Sequence, residues 1–452
     1  MTTARAPSLA RGWAVSLVAT TTMAVSYLDR QVLGVLAPSV RADLRIDHEA
    51  YGWIGAAFSY AYLVATPIAG RLIERIGVRR GLWVAVALWS VVSAAHGLAT
   101  SFAVLFAMRL ALGVTEAPSF PGAAAAVSRT LPPAHRPRGL GVLFTGSSIG
   151  AMVAPPLAAT LAVWLGSWRF GFAAVALVGV LWIPLWLAVT SPREIRALLD
   201  APPDPGAPRP SLWAVLGRRP VVRAVALVLA GSPACAFFFL WSSLYLHDAH
   251  GVSQGDVGDY LWLPPLLLDL GAVAFGFLAG RHAAEHGAER SPLALATIAA
   301  LLTGAIAAVP LAPDATSATL LFGVAMAGAG GLFAILTADV MAGVGPGLAA
   351  SAGGITAAAQ SVAYVIASPL IGRAVEATGH YDLALVALGA WLVPGTVVWI
   401  ALRPRPGSIS GSSSRRRRCR APTTRSPTGP PSRSPFRRSS GSDRPSRGAP
   451  TR

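Results

Sequence analysis

Over its first 402 residues the chain is one apolar run after another, each about twenty residues long and separated from the next by charged or Pro/Gly-rich breaks. A helix of that length crosses the roughly 30 Å hydrocarbon core of a bilayer. Such runs fall at about 13–37, 51–73, 82–100, 102–124, 139–164 and 169–190, and again at about 224–247, 259–280, 292–312, 317–341, 347–373 and 380–402. Hydrophobic residues make up 54% of the chain and charged residues only 13%, about half the charged share of an average soluble protein. The expectation is an all-α polytopic membrane protein with twelve transmembrane helices in two six-helix bundles. A soluble multi-domain protein is excluded.

Charges inside the runs are costly, about 2.5 to 3.5 kcal/mol each near the midplane, so they must face a protein interior. The run FAVLFAMRLALGVTEAPSFPG, 102–122, carries Arg109 and Glu116. Seven residues separate them, close to two helical turns, which places both on one face. The first run carries Asp29 and Arg30. Two acids and two bases at membrane depth read as a pathway for a solute or for protons.

Arginine sets the orientation, because loops on the cytoplasmic side are enriched in it. With both termini inside, the inner loops hold Arg75, Arg79, Arg80, Arg129, Arg136, Arg138, the arginines from Arg193 to Arg223, Arg281 and Arg290. The outer loops hold Arg41, Arg45, Arg169 and Arg373. The formal charge of +17 does not signal nucleic-acid binding, since 14 Arg and one Asp lie from Arg403 onward. That tail, 403–452, is rich in Arg, Ser, Pro and Gly and is expected to be disordered on the cytoplasmic side, with Arg415 to Arg418 able to meet anionic lipid. Its composition also fits a shifted reading frame near residue 405. The first run is retained as a span and not removed as a signal peptide, since it is too long and contains Asp29 and Arg30. Cys235 and Cys419 make neither a disulfide framework nor a metal spacing, and no cofactor is implied.

The polar stretch 191–223, with APPDPGAPRP at its middle, separates the first bundle, 1–190, from the second, 224–402, and reads as a cytoplasmic hinge. An internal echo supports duplication. Ala69-Gly70-Arg71 with Gly77 returns as Ala279-Gly280-Arg281 with Gly287, and Ala154-Pro155-Pro156-Leu157 returns as Ala367-Ser368-Pro369-Leu370.

The loop GRLIERIGVRRG contains Gly70, Glu74, Arg75, Gly77, Arg79 and Arg80 in the order Gly, three residues, acid, base, any, Gly, any, base, base. This resembles the signature loop of the major facilitator superfamily, with Glu where Asp is usual. The resemblance implies a tight turn at Gly77 and an acid that pairs across the halves and sets conformational balance. A second resemblance covers nearly all of 20–402. YLDRQ at 27–31, Tyr51-Gly52-Trp53, Arg109 with Gly113 and Glu116-Ala117, and Phe120-Pro121 look like the anion:cation symporter branch. GSSIGAMVAPP, YLHDAHG and PLLLDLGAVAFG are most similar to hexuronate transporters. What this implies is proton-coupled uptake of a sugar-derived carboxylate across the inner membrane by a monomer. Carried over by position, Asp29 and Glu116 match protonation sites, Arg30 the substrate-carboxylate partner, and Arg109 the base that pairs with the acids. Tyr62 and Ser147 or Ser148 fall at substrate hydrogen-bonding positions, where Ser replaces the more usual Gln or Asn.

Read without the resemblance, Asp29 beside Arg30 and Glu116 on the Arg109 face are acids whose protonation changes when an arginine turns to a bound anion. The alternative is two static ion pairs that only join helices. In the second half Asp269 is a substrate group or a helix partner. Gln360, Ser361 and Tyr364 offer polar lining, with Gln360 as a substrate contact. Tyr245, His247 and Asp248 form a gate or an interfacial belt, and Trp241 and Trp262 a sugar face or packing. No GxxxxGK[ST] loop is present, so the driving energy is an ion gradient. The expected function is symport of a small organic anion with protons. The alternatives are proton-driven efflux, which Arg30 in the cavity disfavours, or uptake of an aromatic or dicarboxylic acid. No nucleophile or metal arrangement suggests an enzyme.

Overall fold

The computed structural model describes residues 8–201, 212–287, 291–344 and 348–403; among the described residues the regular structure is all helical. The spanning helices of the first half are α1 (Leu9–Val35), α2 (His48–Ile76), α3 (Val78–Ala95), α4 (Phe102–Thr130), α5 (Arg136–Trp164) and α6 (Trp168–Val189). Those of the second half are α7 (Arg219–His250), α8 (Val257–His286), α9 (Leu293–Leu311), α10 (Ala315–Val344), α11 (Ala349–Thr378) and α12 (Asp382–Ala401). Eleven are apolar enough throughout to cross a bilayer, and α1 is the more polar twelfth, with Ser16, Thr20, Ser26 and Asp29 buried along it. Large apolar side chains left exposed, among them Val91, Leu181, Val273 and Leu301, turn outward to form the belt that lipid covers.

Local sequence explains where the helices begin and end. Asp47 caps α2 by accepting from the Ala50 N–H at 2.7 Å, and Ser101 and Ser167 cap α4 and α6 in the same way. Pro137 and Pro220 stand in the first turns of α5 and α7, and Pro264 in the first turn of the α8 segment that restarts at Leu263, where a missing N–H costs nothing. Helix α4 is broken at Ala117–Pro118, so Glu116 is the last residue of its first segment. Gly77 ends α2 with φ 90° and Gly287 ends α8 with φ 89°, a conformation that other residues rarely adopt. The internal echo at 77 and 287 is thus the same left-handed turn made twice.

Each bundle has its own core. Trp89, Leu112, Trp182 and Trp186 fill the first, and Val221, Leu332, Leu336 and Trp399 the second. A third cluster, with Tyr51, Phe237, Trp241 and Phe322, joins the two bundles. The joint is symmetric in the way the second echo suggests. A Cβ at Gly52 of α2 would lie 2.5 Å from the Ser368 carbonyl oxygen of α11, and one at Gly258 of α8 would lie 2.7 Å from Pro156 Cα of α5. Only glycine allows these paired backbone approaches.

With twelve spans in succession, the start of α1 at Leu9 and the end of α12 at Ala401 fall on one face, here the terminal face, and the turn at 45–47 on the opposite, far face. Polar contacts between bundles gather at the far face. His48 donates its backbone N–H to Glu376 at 3.0 Å, its ring lies 3.0 Å from the same carboxylate and 3.6 Å from Asp248, and Arg41 reaches the ring at 2.8 Å. Tyr51 donates to the Leu240 carbonyl, Ser243 to the Val35 carbonyl, and Ser39 to Gln254. Arg373 pairs with Glu49 at 3.4 Å. Asp248, read from sequence as part of a gate or an interfacial belt, sits in this seal, and Tyr381 donates to it at 2.7 Å.

Two expectations change. The seventh span starts at Arg219 and not near 224, so Arg223 is no loop residue: its side chain is 2% exposed and pairs with Asp339 at 2.9 Å. It also donates to the Trp399 carbonyl and to Ser291. Arg223 and Asp339 thus add a buried charge pair within the spans of the second half, besides Asp269. The stretch 191–223 is in part docked. Helix Arg193–Leu199 buries Ile195 and Leu199 in the first core, Arg129 donates to the Leu199 and Ala201 carbonyls, and Arg11 pairs with Glu194. The Glu194 carboxyl is held below its ordinary range by its own backbone N–H at the helix start and by Arg11. The expected hinge centre at 202–211, Arg290 and the tail from Pro404 lie outside the described residues.

Candidate functional site

Asp29 and Arg30 are adjacent in α1, and one residue of helix turns them about 100° apart. Their surroundings differ accordingly. Asp29 is fully buried towards α3, where Ser93 donates to its Oδ1 at 2.6 Å; its Oδ2 has no hydrogen-bond partner among the described residues. Arg30 points to α2 and α4. Its Nε donates to Glu116 Oε2 at 2.6 Å, and Ser26, one turn earlier in α1, donates to the same oxygen at 3.0 Å. Glu116 is fully buried.

Three aromatic rings surround the Arg30 guanidinium. Its central carbon lies 4.9 Å from the Tyr27 ring, 5.0 Å from Phe58 and 4.5 Å from Tyr62. Phe58 and Tyr62, one turn apart on α2, stack at 5.7 Å. A cation over desolvated ring faces is held by about 2 kcal/mol or more per good contact. The rings fix the guanidinium plane and leave its Nη2 with no partner among the described residues. The arrangement is a planar donor fork, half committed to Glu116 and half available to an anion.

Arg109 does not occupy the place expected of it. It is 3% exposed, its guanidinium carbon lies 5.1 Å from the centre of the Phe58 ring, and it makes no ion pair with Asp29 or Glu116. Phe58 contacts both guanidiniums, and Glu116 goes to Arg30 although it shares a helix face with Arg109. Arg109 remains within electrostatic reach of Glu116, Tyr51, Arg30 and Asp29. The pairing of Asp29 with Arg30 expected from adjacency is likewise replaced by Asp29 with Ser93.

On α5, Ser147 lies at the Tyr27 hydroxyl, and Ser148 turns to the second bundle and donates to Asp269 Oδ1 of α8 at 2.6 Å. Gln360 of α11 is half-buried, with no side-chain hydrogen bond to a described residue. Tyr364, one turn on, lies within electrostatic range of Tyr27 and Arg30. Ser26, Phe58 and Ser93 were missed in the sequence. Ser26 is four residues before Arg30 and Phe58 four before Tyr62, so same-face spacing was the available signal.

The signature loop lies at the terminal face, away from these groups. Gly70 and Glu74 are half-buried, while Arg75 and Arg80 are exposed. The Gly77 turn packs against Asp200. Arg79 donates to Thr190 at 3.0 Å, and its carbonyl accepts from the Trp186 indole at 3.1 Å, so this end of the loop is bound to the first bundle.

The sequence profile of the Major Facilitator Superfamily matches residues 19–368. The hexuronate transporter of Escherichia coli K12 is 27% identical over 412 residues, covering 87% of this chain and 94% of that protein. The galacturonate transporter of Dickeya chrysanthemi is 30% identical over 281 residues, 59% of this chain and 81% of that protein. Among solved structures, an inward-facing bacterial homologue of the human lysosomal transporter Spinster superposes with a TM-score of 0.72 at 18% identity, covering 88% of this chain and all of that one. The chain belongs to the major facilitator superfamily and is a multi-pass membrane transporter, not an enzyme.

Proposed function

We propose that this protein is a proton-coupled symporter that takes up a small organic anion, a hexuronate or closely related sugar acid, by alternating access of a central site. The observation that carries the reading is the ring-enclosed Arg30 whose guanidinium is shared with the fully buried Glu116. A substrate carboxylate that takes over Arg30 leaves Glu116 without its cation in a dry core, and a proton then replaces the lost partner. Substrate and proton bind together for that reason. Asp29, buried on the neighbouring face with Ser93, is the second proton carrier. Tyr62, Ser147, Ser148 and Gln360 contact the sugar end, and Arg109 holds the local positive potential behind Phe58. The names of the hexuronate and galacturonate relatives support the substrate class.

In this reading the terminal face is cytoplasmic, as the arginine distribution favours, so the sealed far face makes this the inward-open form. The two bundles, 1–190 and 219–402, rock about the linker 191–218 while the loop at Gly70, Glu74, Arg75, Gly77, Arg79 and Arg80 sets their balance. The tail 403–452 stays in the cytoplasm, and the working unit is a monomer in the inner membrane. Uptake of labelled galacturonate into proteoliposomes under an imposed pH gradient tests the function. Accumulation driven by an inward proton gradient is expected; gradient-driven expulsion, or no response to the gradient, overturns it.

A further inference from the structure

Asp269 is a carboxylate at membrane depth with no ion-pair partner among the described residues. It is half-buried, and its Oδ1 accepts from Ser148 Oγ at 2.6 Å across the gap between bundles. The neighbouring Ser147 lies at the Tyr27 hydroxyl, and the Tyr27 ring is 4.9 Å from the Arg30 guanidinium. The adjacent Ser147 and Ser148 of α5 thus lie between the Arg30 side of the first bundle and the Asp269 acid of the second. Among the described residues the other polar joints between the bundles belong to the far-face seal, where several contacts share the work. An ionisable group at membrane depth without a cation partner is a functional-site group by default.

Resting on the reading of Arg30 as the carboxylate partner, we propose that Asp269 determines specificity at the opposite end of the same site. It accepts hydrogen bonds from the hydroxyl end of a polyhydroxylated monocarboxylate and rejects a molecule that brings a second carboxylate there. An ionised carboxylate is acceptor-only with several lone-pair sites, so it accepts from hydroxyl donors beside or in place of Ser148. A dicarboxylic sugar acid bound at Arg30 would set its far carboxylate against Asp269, and like charges in a water-poor gap are strongly unfavourable. The site is thereby polarised: cation for the acid end, acid for the hydroxyl end.

The test uses full-length protein in proteoliposomes at pH 7, with labelled galacturonate uptake competed by unlabelled galacturonate or by galactarate, which differs in carrying a carboxylate at both ends. The unmodified protein should need about tenfold or more galactarate than galacturonate for equal inhibition, and Asp269→Asn should narrow that ratio to about twofold. Asp269→Ser serves as an independent second variant with the same expectation. Ser148→Ala, which leaves the carboxylate in place, should keep the discrimination. An unchanged ratio in an Asp269 variant that still transports galacturonate overturns this inference alone, as does equal competition in the unmodified protein. Equal loss of discrimination in Ser148→Ala would reduce Asp269 to a brace between bundles and overturn it too. No uptake of any sugar acid by the unmodified protein would overturn the functional reading and this inference with it.

Discussion

Arg30 and Glu116 are 86 residues apart in the chain and meet at 2.6 Å in the centre of the first bundle, with Ser26 bonded to the same carboxylate oxygen. The ion pair is closed in on one side by Tyr27, Phe58 and Tyr62 and leaves an Arg30 Nη2 and a Glu116 Oε1 without partners among the described residues. A buried pair with unused capacity on both partners is poorly arranged for stability and well arranged for exchange.

Arg30→Lys keeps the charge and loses the planar fork and the ring stacking. Substrate affinity is expected to fall by about tenfold or more. Binding of labelled galacturonate to the purified variant measures this, and affinity within twofold of the unmodified protein would remove Arg30 from the site.

Glu116→Gln retains a group able to accept from Ser26 and Arg30 but carries no exchangeable proton. Gradient-driven accumulation should vanish while exchange of labelled for unlabelled substrate persists, since exchange requires binding and reorientation without proton release. If Asp29 also carries a proton, one net charge enters per monocarboxylate, worth about 2.3 kcal/mol at 100 mV. Uptake that ignores an imposed potential would limit the count to one proton, and normal accumulation by Glu116→Gln would take this residue out of coupling.

His48 gathers Glu376, Asp248 and Arg41 into the far-face seal. His48→Ala should shift the protein towards the form open at that face, by about fivefold if roughly 1 kcal/mol of polar contact is lost. Ser39→Cys, placed at the seal beside Gln254 in a Cys419→Ser background, reports the shift as faster labelling by a membrane-impermeant maleimide. An unchanged labelling rate would mean that the seal does not depend on His48.

Asp339→Ala strands the Arg223 guanidinium, which is 2% exposed. A stability loss of about 3 kcal/mol or more is expected, whereas the double change Arg223→Met, Asp339→Leu should recover most of it, because an apolar pair of similar size avoids desolvating two charges. Thermal unfolding in detergent measures both. A single variant as stable as the double would show that the pair is solvated and not buried.

The twelve spans, the turns at Gly77 and Gly287 and the presence of charges at membrane depth were legible in the sequence, because each depends on local properties: the length of an apolar run, the spacing of a face, a glycine at a left-handed position. The partners of those charges were not. Helical periodicity placed Glu116 on the face of Arg109, yet the break at Pro118 and the packing of α1 against α4 give it to Arg30, while Arg109 lies against Phe58 of α2. Adjacency put Asp29 with Arg30, but consecutive helical residues face different neighbours, and Asp29 went to Ser93. Arg223 looked like a loop arginine since nothing in its own helix reveals Asp339, 116 residues later. A sequence states which residues share a face of one helix; which faces meet, and so which charges cancel, is decided when helices from distant parts of the chain pack together.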